Sequence, residues 1–195
     1  MNKISTLHQL KRKQRGMTFL EVLIAVVILV TGILGAVALQ AVAKKSSFDS
    51  MQRSLASSLA QDIVERMRGN SSNNLALYQV GSPFGAGNAA EQDCSAACTP
   101  TQIASYDVYE WEQALIGTST KSGGVNGTDV GGLVNGVGCI NVVGNRVTVV
   151  VSWQGKTELA DGGSSGTGVA NCGSSGAEDG DNNKRRQVVV NAFIL

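Results

Sequence analysis

Hydrophobic and polar positions fall into three regimes along the chain. From Met17 to Leu39 the sequence is an almost unbroken apolar run, with Glu21 as its single charge. About 20 apolar helical residues cross a bilayer core, so this run predicts a membrane helix. It exceeds the roughly 7–15 residues of a secretory signal's apolar core, and no small-residue cleavage site follows Leu39. Further on the period changes. Phe48, Met51, Leu55, Leu59, Ile63 and Met67 recur at steps of three and four, the stripe of an amphipathic helix. Gly69-Asn70 then reads as a stop signal. Helix is therefore expected from Thr18 to Arg68, roughly 75 Å at 1.5 Å per residue. The third regime is rich in Gly, Ser and Asn and holds most of the 24 glycines, which favours turns and short strands.

Within that remainder, Thr99-Pro100 reads as an N-cap followed by proline at the first helical position. A helix over Pro100–Leu115 would bury Ile103, Val108, Trp111 and Leu115. Asp107, Glu110 and Glu112 are then read as its solvated face, not as acid–base groups. Strands are expected over Cys139–Val143 and Arg146–Trp153, flanking the two-residue turn Gly144-Asn145. Val147, Val149 and Val151 alternate with Thr148, Val150 and Ser152, which predicts one more buried face. Gln187–Leu195 would close the sheet, after a low-complexity loop from Glu158 to Asn183. The expected fold is α+β: a long N-terminal helix, half of it transmembrane, packed on a small C-terminal antiparallel sheet with long Gly-rich loops. Four segments follow: 1–16 as a leader, 17–39 as the membrane helix, 40–69 as its amphipathic continuation and 70–195 as a β-rich head.

Charge orients the chain. Lys3, Lys11, Arg12, Lys13 and Arg15 precede Gly16, and Lys44 and Lys45 form a weaker cluster after the apolar run. The positive-inside rule places the N-terminus in the cytoplasm and the head on the far side of the membrane. Without the leader, 11 basic residues face 15 acidic ones, a net charge of −4. A mildly acidic chain lacks the footprint of nonspecific nucleic-acid binding. Beyond the helix only Lys121, Arg146, Lys156, Lys184, Arg185 and Arg186 are basic.

Candidate chemistry is sparse. The single histidine, His8, lies in the leader, so histidine-dependent nucleophiles and zinc sites are unavailable beyond it. Asp179, Asp181 and Asn183 imitate the start of a calcium loop, but Lys184 and Val190 stand where glycine and glutamate are required. The glycines from Gly123 to Gly138 lack the GK[ST] of a phosphate loop. No cofactor or metal is expected. Cys94, Cys98, Cys139 and Cys172 are an even set on the oxidising side, which reads as two disulfides with three connectivities open. Cys94–Cys98 is short but compatible with a turn. It would leave Cys139–Cys172 to close a loop of about 30 residues, worth roughly 3–4 kcal/mol in the chain-entropy model. A zinc site is the competing reading, with poorly spaced ligands.

The basic leader, Gly16, Met17, Thr18, Phe19, Leu20, Glu21 and the apolar run together resemble the class III (prepilin) signal of type IV pilins and type II secretion pseudopilins. The resemblance implies cleavage by a prepilin peptidase between Gly16 and Met17 and N-methylation of Met17. It also implies that Glu21, fifth in the processed chain, is the assembly carboxylate that pairs with a neighbouring subunit's terminal amine. Two charges that are each costly in lipid become tolerable as a pair. Glu21 snorkelling to the interface is the plainer alternative. Two further stretches, SMQRSLASSLAQDIVERMRGN and CSAACTPTQIASYDVYEWEQAL, resemble the PilV family of minor pilins. The apolar run lacks the proline common in major pilins, since the only prolines are Pro83 and Pro100. Gly32 and Gly35 are its weak points, or its sites of close helix packing.

The resemblance points to a non-catalytic minor subunit that primes pilus assembly and serves motility or adhesion. It would reside in the bacterial inner membrane and later in the pilus. Implied partners are other minor pilins, the major pilin, the prepilin peptidase, the assembly platform and a tip adhesin. A minor pseudopilin of type II secretion is the alternative, and a membrane-anchored enzyme or binding module is the contrasting class.

Overall fold

The computed structural model describes residues 16–80, 82–87, 89, 93–94, 97–118, 120–124, 127–158, 171–173 and 184–195. The calcium-like Asp179, Asp181 and Asn183 and the basic residues of the leader lie outside them. The chain divides into two units, one through Ala43 and the other from Lys44 to Leu195.

The first unit is the early part of helix α1, which spans Phe19–Gly69. It is long and apolar enough to cross a membrane. Every described residue through Ala43 is exposed. Neither Gly32 nor Gly35 would bring an added Cβ within 4 Å of a neighbour.

The second unit begins with the rest of α1, whose covered face is Gln52, Ala56, Leu59, Ala60, Ile63, Val64 and Met67. This corrects the expected stripe at its start. Met51 is 58% exposed and Leu55 only half-buried, while Gln52 and Ala56 point inward. Small side chains at Ala56 and Ala60 allow close approach, and Gln52 is admitted because its amide is satisfied. It accepts from the Val134 N–H at 3.0 Å and donates to the Gly132 carbonyl at 3.4 Å.

A 3-10 helix over Ser72–Gln79, unforeseen in the sequence, buries Leu75 and Tyr78. Helix α2 (Pro100–Ile116) starts where Thr99-Pro100 predicts. The Thr99 hydroxyl accepts from the Gln102 N–H, and the Gln102 side chain takes the Thr99 N–H in return, a full capping box. It ends at Gly117 in the left-handed region (φ 82°), where a Cβ would sit 1.9 Å from the Gly131 carbonyl oxygen. A short antiparallel pair follows, β1 (Lys121–Ser122) with β2 (Thr128–Asp129).

The main sheet is antiparallel in the order β3 (Val137–Val143), β4 (Arg146–Gln154), β5 (Arg185–Phe193). Val143 pairs with Arg146 across the Gly144-Asn145 turn, and Gly144 has φ 59°. The outer edge of β3 is partly capped: Ile140 N–H donates to the Ser82 hydroxyl and Val142 N–H to the Gln79 side chain. Val147, Val149, Val151 and Trp153 join the core formed with α1 and α2. Val150 and Ser152 are buried as well, against the expected alternation. Cys139, Cys172 and Val150 form a second small cluster that covers that face.

Trp111 locks the helices to the sheet. It is fully buried, donates from Nε1 to the Leu59 carbonyl at 2.8 Å, and meets the Phe84 ring edge-on at 5.9 Å. Gly138 makes room for it, since a Cβ there would lie 2.3 Å from the indole. Ile103, expected inside, is only half-buried, and Ala104 takes the inner position.

Candidate assembly site

The N-terminal residues are built from a helix start. Gly16, Met17 and Thr18 precede α1, and the Thr18 hydroxyl accepts from the Glu21 N–H at 3.3 Å. The Thr18 carbonyl takes the N–H groups of Glu21 and Val22 at 3.1 and 3.3 Å. Thr18 is thus an N-cap whose side chain satisfies a donor that the helix leaves unpaired. Sequence reasoning passed over it, although Thr-x-x-Glu is the spacing of a capping box. Glu21 sits in the first turn, where its carboxylate complements the positive end of the helix dipole. It is exposed and has no ion-pair partner among the described residues. Met17 is 71% exposed and Phe19 82%.

At Gly16 an added Cβ would meet nothing within 4 Å. No contact with the described residues demands a glycine there.

The cysteines lie in the second unit, joined as Cys94–Cys98 and Cys139–Cys172, with sequence separations of 4 and 33. Among the described residues no group of His, Cys, Asp and Glu is arranged to hold a metal.

The carboxylates of α2 do not form a solvated face. Glu112 is 1% exposed and Asp107 8%. Glu112 accepts three backbone N–H groups, from Gly85 and Gly87 at 2.7 and 3.1 Å on one oxygen and from Ala89 at 2.6 Å on the other. Those bonds offset the cost of burying a charge and tie the 85–89 segment to α2. Asp107 accepts from the Tyr78 hydroxyl at 2.7 Å and pairs with Arg66 at 3.5 Å, while Arg66 also holds Asp62 at 2.9 Å. Asn70 donates to the Tyr78 oxygen and to the Pro100 carbonyl. Burial, then the bond to Asp107, pushes the Tyr78 hydroxyl pKa up from its ordinary value. This network joins the end of α1 to the 3-10 helix and α2. Its role is to shape the head.

Two comparisons with known proteins fit this layout. Residues 11–37 match the prokaryotic N-terminal methylation motif, and residues 38–109 match the family described as Type IV pilin Tt1218. No curated protein and no solved structure matches the chain. The methylation motif spans Gly16, Met17, Thr18 and Glu21, and the family match covers the covered part of α1, the 3-10 helix and the first half of α2. The chain is thus similar to type IV pilins over residues 38–109 and carries the prepilin-type methylation motif over residues 11–37.

Proposed function

We propose that this pilin-like chain is a minor pilin of a type IV pilus, of the PilV kind, which helps prime filament assembly and so supports motility or adhesion. The observation that carries the reading is the N-terminal arrangement. An unencumbered Gly16 precedes an exposed Met17, and Glu21, without an ion-pair partner among the described residues, stands in the first turn of an exposed apolar helix. A glycine that no described contact requires is explained by an outside requirement, the prepilin peptidase cutting between Gly16 and Met17. The new terminus would be N-methylated, and Glu21 would pair with the amine of a neighbouring subunit. The chain would stand in the inner membrane, N-terminus cytoplasmic and head periplasmic, before entering the pilus. There its partners are the major pilin, other minor pilins, the assembly platform and a tip adhesin.

The match of residues 38–109 to a type IV pilin favours a pilus over a secretion pseudopilus. Intact-mass measurement of the protein from cells tests the processing: a methylated chain starting at Met17 is expected, and an intact leader refutes it. Glu21→Ala should leave the mass of the processed chain otherwise normal and remove it from sheared pili. Deletion of the gene should abolish pili and twitching. Loss of exoprotein secretion with intact pili would instead assign the protein to a type II secretion system.

A further inference from the structure

One end of the second unit gathers cations. Lys44 and Lys45 lie one helical turn before Phe48 and Asp49, about 6 Å along the axis, on the same face of α1. The segment after β4 is fastened there. Asp49 accepts from the Lys156 N–H at 3.0 Å and from the Thr157 hydroxyl at 3.2 Å, and the Lys156 ammonium lies 5.1 Å from the centre of the Phe48 ring. The start of β5 is brought to the same place, because Gly155 N–H donates to the Lys184 carbonyl at 2.8 Å and the Arg186 guanidinium donates to the Thr157 carbonyl. Lys44, Lys45 and Lys156 are exposed, and Lys184 and Arg186 half-buried. The described residues of this end carry these five cations together with the acids Asp49 and Glu158, in a processed chain of net −4.

We propose that this basic end is a binding surface for anionic phospholipid headgroups, which holds the head against the bilayer while the subunit is still in the membrane. The inference rests on the membrane-anchored reading above. Two facts favour a lipid surface. Lys44 directly follows the exposed apolar stretch of α1, so a helix in lipid delivers this end to the headgroup layer. Compact ammonium groups on flexible stems suit scattered phosphates, which need no fixed geometry. A chain with overall negative charge gains from such a patch only when it is held close to its target, since the attraction fades within about 10 Å at moderate salt.

The test uses the whole processed chain in nanodiscs of phosphatidylcholine alone or mixed with phosphatidylglycerol, with amide hydrogen exchange read at 155–158 and 184–186. Exchange should slow several-fold in the anionic discs and recover at high salt. Each lysine is worth about fivefold in surface residence, so Lys156→Gln should lose up to that factor. The combined Lys44→Gln, Lys45→Gln, Lys156→Gln, Lys184→Gln variant should lose all the protection, whereas Arg146→Gln, beside the β3–β4 turn, should lose none. Equal exchange in both lipids, with the chain firmly in the discs, overturns the proposal. So does protection that appears in neutral discs only when a second pilin is added, which would make the patch a protein interface. A chain that fails to enter discs at all would overturn the membrane reading itself.

Discussion

Helix α1 changes character at the boundary between the two units. Up to Ala43 it carries the most apolar sequence in the molecule, and every described side chain there is exposed. From Lys44 it is mixed in composition, yet Ala56, Ala60, Ile63 and Met67 are wholly covered. The more hydrophobic half is the one that the described residues do not bury. An apolar surface of that extent is untenable in water, so its environment must come from lipid or from other helices. The first half therefore answers to outside molecules, and the second to its own fold. Substitutions should separate the two.

The largest effect is expected at Trp111. Trp111→Ala should cost about 3–5 kcal/mol, the range for deleting a core aromatic, and it also orphans the Leu59 carbonyl contact. That is a large part of the 5–15 kcal/mol of an ordinary domain. Denaturant titration followed by near-UV circular dichroism should register it, with leader processing unchanged. Ile28→Ala, at a side chain 65% exposed, should shift the same curve by less than about 0.5 kcal/mol. A shift above 1 kcal/mol there would break the division, because it would mean that the head leans on the apolar half.

Next come the disulfides. Removing Cys139–Cys172, with a sequence separation of 33, should cost about 4 kcal/mol in the chain-entropy model, and removing Cys94–Cys98, separated by 4, about 2 kcal/mol. Paired Cys→Ala variants compared by denaturation midpoint check the order. The reverse order would locate the head's weak point ahead of α2, not at the sheet.

Glu112 shows where reading the sequence succeeded and where it stopped. Local signals were legible: Thr99-Pro100 marked a helix start, Gly144-Asn145 a hairpin, and the periodic run from Leu59 to Met67 a covered face. Each is decided by neighbours within a few residues. The buried carboxylates were not legible, because three charges on one helix look like a solvated face until the 85–89 backbone, over 20 residues away, supplies the donors. The same holds for Gln52, whose partners at Gly132 and Val134 lie some 80 residues on. The 3-10 helix and the β1–β2 pair were missed because neither carries a hydrophobic period. Glu112→Ala should leave the N–H groups of Gly85, Gly87 and Ala89 without this acceptor and cost about 2–3 kcal/mol; Glu112→Gln, which keeps one acceptor oxygen, should cost about half as much. Both are measured by the same titration. A neutral Glu112→Ala would show that water replaces the carboxylate and that the 85–89 segment is held by other means.

The smallest expected effect is a pH dependence confined to the second unit. All three tyrosines lie there, and Tyr78 alone is fully buried. Burial, reinforced by its hydrogen bond to Asp107, raises the Tyr78 pKa above the ordinary 10.0. In the folded head the hydroxyl keeps its proton at pH values where the unfolded chain has already released it. The unfolded state then binds fewer protons, so the slope of stability with pH is negative. The contribution is complete below about pH 10 and is lost progressively as pH climbs from there toward the raised folded value. The slope is taken as a difference between wild type and Tyr78→Phe, so that the contributions of other groups cancel. The variant should be less stable at neutral pH, where Asp107 loses a donor, and the gap should narrow above pH 10. The apolar half of α1 contains no tyrosine, and its helical signal in lipid should stay level through the same titration. A gap that stays constant to high pH would mean that Tyr78 ionises alike in both states, and that the network beneath the end of α1 is open to water.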